Sequence, residues 1–192
     1  MRGRSSSLTI HPVTADRWDD LAALFGDKGA CAGCWCMWWR MTQSAWLAQK
    51  GKGTKRKLRA LVKKGPPPGL LAYAEGEPVG WCAVGPREDY PRLSRSKVLA
   101  PVDAEPVWSV TCFFVRRDWR HRGVTVALLK EAARFAGSRG ARIVEGYPTD
   151  SDRDEPGAFV HHGLLRGFRK AGFEEVARRS TRRPIVRRRA AR

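Results

Sequence analysis

Arg120, Gly123 and Thr125 stand in the turn Arg116-Arg117-Asp118-Trp119-Arg120-His121-Arg122-Gly123-Val124-Thr125, just after an apolar run, Val107 to Val115, and just before a helical pattern. A helix N-terminus offers unpaired N–H groups and a partial positive charge. Glycine lets backbone approach a ligand closely, and Arg117, Arg120 and Arg122 add charge. Together they suit a phosphate or pyrophosphate. A second group is Glu145, a carboxylate inside the apolar run Ala141 to Pro148. Such a carboxylate is uncommon unless paired, and it can serve as a proton acceptor. Tyr147, two residues on, shares its face of a strand. The competing reading is that Glu145 faces solvent or pairs with an arginine. His161 and His162 are further acid–base candidates, although tandem histidines are often surface residues. Cys112 is either a nucleophile or a small core hydrophobe.

The segment Cys31-Ala32-Gly33-Cys34-Trp35-Cys36-Met37-Trp38-Trp39 has metal-like cysteine spacing. A zinc ion would need a fourth ligand, such as His11 or His121. There is no second Cys-x-x-Cys, so no metal is expected. Trp35, Cys36, Trp38 and Trp39 are instead expected to wall an apolar pocket or to pack in the core. Asp150-Ser151-Asp152-Arg153-Asp154 is not a calcium loop, because Glu155 stands where glycine is required. It remains an acidic island that can draw a cationic amine.

Arg120-x-x-Gly123-x-Thr125 resembles the acetyl-CoA signature of the GNAT N-acetyltransferase superfamily, in which Arg or Gln is followed by x-x-Gly-x-Gly/Ala. The resemblance implies acetyl-CoA as co-substrate. Backbone from Arg122 through Gly123 and Val124 to Thr125 would hold the pyrophosphate, with Arg117, Arg120 and His121 beside it. The backbone of Phe113, Phe114 and Val115 would pair with the pantetheine arm. This sequence departs from the family at three places. Thr125 replaces a smaller residue, Thr111 or Cys112 stands where a carboxylate is usual, and Phe168 stands where a tyrosine is usual. Glu145 is therefore the expected substitute base, with Tyr147 and His161 as further catalytic candidates. Trp35, Cys36, Trp38, Trp39 and Glu145 are expected on the acceptor side. The implied reaction moves an acetyl group to a primary amine, first of all of a small molecule, by direct attack in a ternary complex. A protein N-terminus or lysine is the alternative acceptor. A non-catalytic acyl-CoA-binding or nucleic-acid-associated protein is the alternative class.

The elements that must position these groups are legible from periodicity. Leu8 to Ile10 reads as a strand. Thr14 caps a helix to Phe25, with Trp18, Leu21, Ala22 and Phe25 on one face. A basic helix is predicted over Thr54–Lys64, stopped by Gly65-Pro66-Pro67-Pro68-Gly69. Leu70–Ala74 and Val79–Val84 read as a hairpin. Gly85 to Pro106 has no clear period. A strand from Val107, a helix from Gly123 to about Gly137 and a strand from Ala141 form a parallel βαβ unit. A loop over Thr149–Gly157, a helix from His161 to Ala171 and strands around Gly172–Ala177 and Pro184–Val186 follow, with Arg187, Arg188 and Arg189 solvated beyond an edge strand. The predicted class is α/β: a GNAT-like mixed, mostly antiparallel sheet with a central parallel βαβ unit, flanked by helices.

The 192 residues suit one domain over 8–192 after a loose tail at 1–7. With 42% hydrophobic residues the chain can bury a core, which excludes a disordered protein. Met1-Arg2-Gly3-Arg4 is basic, but no apolar h-region follows, and no run is long enough to span a membrane. Five cysteines, an odd number, argue against a disulfide framework. The expectation is a cytoplasmic protein, monomer or homodimer, with no membrane partner. The formal net charge of +18 is spread along the chain. Without a recognised reading module it does not make nucleic acid an expected partner.

Overall fold

The computed structural model describes residues 7–151 and 161–191. β1 (Thr9–Pro12) leads through a 3-10 turn, Ala15–Arg17, into α1 (Trp18–Phe25). Thr14 was expected to cap this helix. Its Oγ1 instead accepts from Arg17 Nη1 at 2.9 Å, and the first turn tightens to 3-10. α2 (Gln43–Gln49) has no counterpart in the sequence reading; Thr42 caps it by accepting from Ala45 N. α3 (Lys52–Lys64) starts before the predicted Thr54, because Thr54 sits at its third position and its Oγ1 accepts from Gly51 N at 3.1 Å.

β2 (Gly69–Ala74) and β3 (Glu77–Pro86) form the expected hairpin. Glu75 and Gly76 both have positive φ, +53° and +81°, the backbone of a two-residue turn that matches strand twist. The aperiodic stretch after β3 folds as a 3-10 turn, Arg87–Asp89, and a short α4 (Pro91–Ser94). β4 (Trp108–Val115), α5 (Val124–Ser138) and β5 (Ile143–Gly146) make the βαβ unit, and β4 pairs with β5 in parallel. α6 (Leu165–Lys170) is shorter than predicted. The backbone before it is committed to Thr149, which donates to Gly163 O and accepts from Leu165 N. β6 (Glu174–Arg178) and β7 (Pro184–Arg189) complete the chain.

The seven strands lie in the order β1-β2-β3-β4-β5-β7-β6, antiparallel except for β4–β5. β7 is thus an interior strand. Arg187, Arg188 and Arg189 belong to it and pair with β5, so they are not a solvated tail. The reason is lateral: β5 needs a neighbour on its far side, and these residues supply it. One face of the sheet packs on α5 through Leu70, Cys82, Val110, Phe113 and Val144. The other packs on α1, α3 and the Trp35–Met41 segment through Leu71, Trp81, Ala83 and Cys112. Residues 1–6 of the tail expected over 1–7, and most of the acidic loop, lie outside the described residues. No helix among the described residues is long and apolar enough to cross a membrane.

Candidate functional site

Two features of the backbone create the site. The ladder between β4 and β5 runs from Trp108–Val144 to Val110–Gly146 and goes no further. Opposite β3, Ala83 pairs with Cys112 and Val84 with Val110, so Thr111 is an extra residue in β4, a bulge. The strand therefore loses its β5 neighbour and changes the face of its side chains at the same place. Beyond it, Phe113 N donates to His161 O at 2.6 Å, and Val115 O accepts from Arg120 Nε at 3.3 Å.

The second feature is the start of α5. Gly123 precedes it with φ +80°, a left-handed backbone that favours glycine. No side chain caps the helix and its first turn has no acidic residue. The first N–H groups of an α-helix have no partner within it, so they face outward as donors. A Cβ built on Gly123 would meet nothing within 4 Å. The open space suits a ligand carrying negative charge.

A cleft of about 730 Å³ joins the two features. Of the expected cofactor residues, Phe113, Phe114, Val115, Arg120, His121, Gly123, Val124 and Thr125 line it. Arg117 begins the 3-10 turn Arg117–Trp119, and Arg122 stacks over the Trp119 ring at 5.0 Å. Neither residue lines the cleft. The opposite wall comes from α6 and the turn before it, including Gly163, Arg166 and Lys170. Sequence reading missed that wall. The signal was present as Arg166 and Lys170 at i, i+4, which puts both cations on one helix face. Cys31, Cys34, Cys36, Cys112 and His161 line the cleft as well.

The remaining expectations divide. Glu145 is fully buried and does not line the cleft. Its Oε1 accepts from Arg87 Nη1 at 2.8 Å and from Tyr147 Oη at 2.7 Å, and its Oε2 from Arg187 Nε at 2.7 Å. Tyr147 is buried too, and shares Ser109 Oγ at 2.8 Å; burial and Glu145 push its phenol well above the usual range. The two residues share a face as alternation requires. They form a closed ion-pair network under the β4–β5 junction and not an open acid–base site. Arg87 and Arg187 come from distant segments, which no sequence spacing reveals. Arg187 also binds Asp103, and Arg87 donates to Leu99 O, so the network pins the long β3–β4 connection.

Trp35 is core. It stacks on Trp18 at 6.0 Å and packs against Phe25. Trp38 meets Trp46 edge-on and carries Arg92 over its ring at 3.5 Å. Trp39 packs on His162. Of the expected acceptor-side residues only Cys36 lines the cleft. Phe168 is fully buried and takes no part in the site; it packs on Phe113 and Phe173, and Gly146 leaves the room it needs. His162 is buried, its Nδ1 lies 3.3 Å from Thr111 O, and burial holds its basicity well below the usual histidine range. The thiols of all five cysteines are free. Among the described residues no group of three or more His, Cys, Asp or Glu side chains is placed to hold a metal ion.

The model of the acetyltransferase (GNAT) family matches residues 35–156, over half of the chain. The chain belongs to the GNAT acetyltransferase family. It is an acetyl-CoA-dependent N-acetyltransferase. The fold agrees. A GNAT-family acetyltransferase from Streptococcus agalactiae superposes with a TM-score of 0.58 at 10% identity, covering 96% of each chain. One from Listeria monocytogenes gives 0.55 at 9% identity, covering 98% of each. The PaiA N-acetyltransferase of Thermoplasma acidophilum, solved with coenzyme A, gives 0.51 at 12% identity, covering 95% of this acetyltransferase and 99% of that chain. No curated protein sequence matches it.

Proposed function

We propose that this acetyltransferase moves the acetyl group of acetyl-CoA to a primary amine of a small molecule, by direct attack in a ternary complex in the cytoplasm. The observation that carries the reading is the single cleft joining the uncapped start of α5 to the free side of β4. Phosphate charge meets N–H groups of Gly123 to Thr125, with Arg117, Arg120 and Arg122 nearby. Beyond its last rung with β5, where Phe113 N is taken by His161 O, the backbone of β4 toward Val115 can offer an extended ligand the pairing of a further strand. Acetyl-CoA supplies the acyl group as a thioester when bound.

The end we assign to the acceptor is bounded by cysteine thiols and the His161 imidazole, a lining that suits a small amine. An ammonium group must lose a proton before it can attack. Glu145 is occupied by two arginines and a tyrosine, so the proton acceptor we assign is His161, which lines the cleft with Cys36 and Cys112, whereas His121 stands in the basic turn before α5. Glu145 and Tyr147 hold the β4–β5 junction in its open form and act through position. CoA leaves with a proton delivered from solvent or from the same imidazole.

The deciding experiment is turnover of acetyl-CoA against an amine panel, with acetylated products identified by mass. The panel holds polyamines, amino-acid amides and amino sugars on one side, and lysine and N-terminal peptides on the other. Acetylation of one small-amine class is expected. Preference for the peptides moves the reading to a protein acetyltransferase, and no turnover with any amine overturns it.

A further inference from the structure

The bulge at Thr111 has a consequence beyond opening the cleft. In a regular strand Cys112 would share a face with Val110, and Phe113 would face the other way; here Val110 and Phe113 both pack toward α5, and Cys112 turns to the opposite face. There its Sγ meets the Sγ of Cys36, 76 residues away in sequence, at 3.5 Å, with Cys36 donating.

Cys36 reaches that point by an unusual path. Ala30, Ala32, Trp35 and Cys36 all have positive φ, between +47° and +67°. For non-glycine residues this conformation costs about 1–2 kcal/mol each and persists only where the surroundings enforce it. They are enforced here. Trp35 is locked between Trp18 and Phe25, and a Cβ on Gly29 would strike its indole. Thr54 Oγ1 donates to Gly33 O at 2.7 Å, and Gly51 N to the same oxygen at 3.0 Å, tying the loop to α3. The loop thus holds one thiol against another in a solvent-connected cleft, and both sulfur-bearing residues line it. Cys82 packs on the α5 face and is no competitor for Cys112.

We propose that Cys36 and Cys112 form a dithiol modification site, which hydrogen peroxide converts to an intramolecular disulfide across the acyl end of the cleft. The step balances with peroxide as the only oxidant. The Cys112 thiolate attacks one peroxide oxygen, the O–O bond breaks, and hydroxide leaves and takes up a proton as water. Cys112 is then a sulfenic acid. The Cys36 sulfur attacks the Cys112 sulfur, the S–O bond breaks, and a second water leaves with the Cys36 proton. Two thiols lose two electrons and one peroxide gains them. Closing the contact to a covalent bond of about 2 Å asks for a small shift of one loop.

The placement at the acyl end rests on the proposed acetyl-CoA reading; the thiol contact does not. The test is a tryptic map of the full chain after peroxide treatment, without reductant. Cleavage after Lys28, Arg40, Lys97 and Arg116 puts Cys36 and Cys112 on separate peptides. The expected product is one cross-link between them, lighter by two hydrogens, placed on Cys36 by fragmentation and reversed by dithiothreitol. A link to Cys31 or Cys34 instead, or oxidation of Cys112 without any cross-link, overturns the proposal. In Cys36→Ser, Cys112 should gain oxygen atoms irreversibly under the same treatment, since its resolving thiol is gone. Acetyl-CoA at ten times its Kd should slow cross-linking about tenfold, as an occluding ligand does. A cross-link that forms at the same rate with acetyl-CoA bound keeps the dithiol and overturns the cleft assignment.

Discussion

Under the proposed reading His161 and not Glu145 takes the proton, and each residue has its own measurement. With His161 as proton acceptor, His161→Ala lowers kcat/KM by about 10²-fold or more, the usual loss for a positioned general base. Acetyl-CoA affinity by calorimetry is retained, because the bond from Phe113 N to His161 O uses backbone. A variant with the wild-type rate and pH profile removes the assignment. Glu145 is a different case. Glu145→Gln leaves Arg87 and Arg187, both largely buried, facing a neutral amide. Removing one partner of a buried ion pair costs about 3 kcal/mol or more, because the remaining charges stay desolvated. Urea denaturation reads that loss. The acid side of the pH–rate profile should stay in place, and its disappearance would return Glu145 to the chemistry.

At the scale of elements, the start of α5 and the cysteine loop are both built on left-handed backbone. Gly123→Ala tests the first. The new Cβ meets open space, so the cost lies in φ +80° alone, about 1–2 kcal/mol. If the turn relaxes to avoid that cost, its N–H groups leave their positions, and acetyl-CoA affinity falls about tenfold or more. The loss of stability read by urea denaturation should not exceed that cost, because no core contact is removed. Full affinity in the folded variant would detach the turn from the phosphate site. The β4 bulge is the other decisive element. It sets which side chains face the cleft, and it coincides with the last rung of the β4–β5 ladder.

Over the whole molecule, burial of His162 makes stability depend on acidity. Burial, His161 and Arg183 all hold its folded basicity below the unfolded value of 6.5. Below that pH the unfolded chain binds a proton that the folded protein does not. Stability is therefore lost as pH falls through about 6.5, by about 1.4 kcal/mol per pH unit for one proton, until the folded group also titrates. Urea denaturation of wild type and His162→Gln between pH 7.5 and 5 isolates this group. The variant should lose less stability toward low pH, and identical slopes would show that His162 is accessible to protons.

Several features were legible in the sequence because local physics decides them. The Glu75-Gly76 turn, the basic glycine turn before α5, the apolar strands and the βαβ order follow from turn chemistry and periodicity, and they suffice for the family and the mixed sheet. The limits appear wherever a partner comes from far along the chain. Glu145 could be read as a base or as an ion-pair partner. Only folding brought Arg87 and Arg187 to it, from 58 and 42 residues away. Arg187 to Arg189 read as a solvated tail because charge dominates local pattern, yet β5 required a neighbouring strand. Trp35 read as a pocket wall because an indole suits either place, and Trp18 and Phe25 made it core. The contact between Cys36 and Cys112 depends on one extra residue in β4 and four left-handed residues in a loop. The sequence determined the strands, the principal helices and their order, and left out α2 and α4. Tertiary structure alone decided which side chains meet, because burial and register join residues that no local spacing relates.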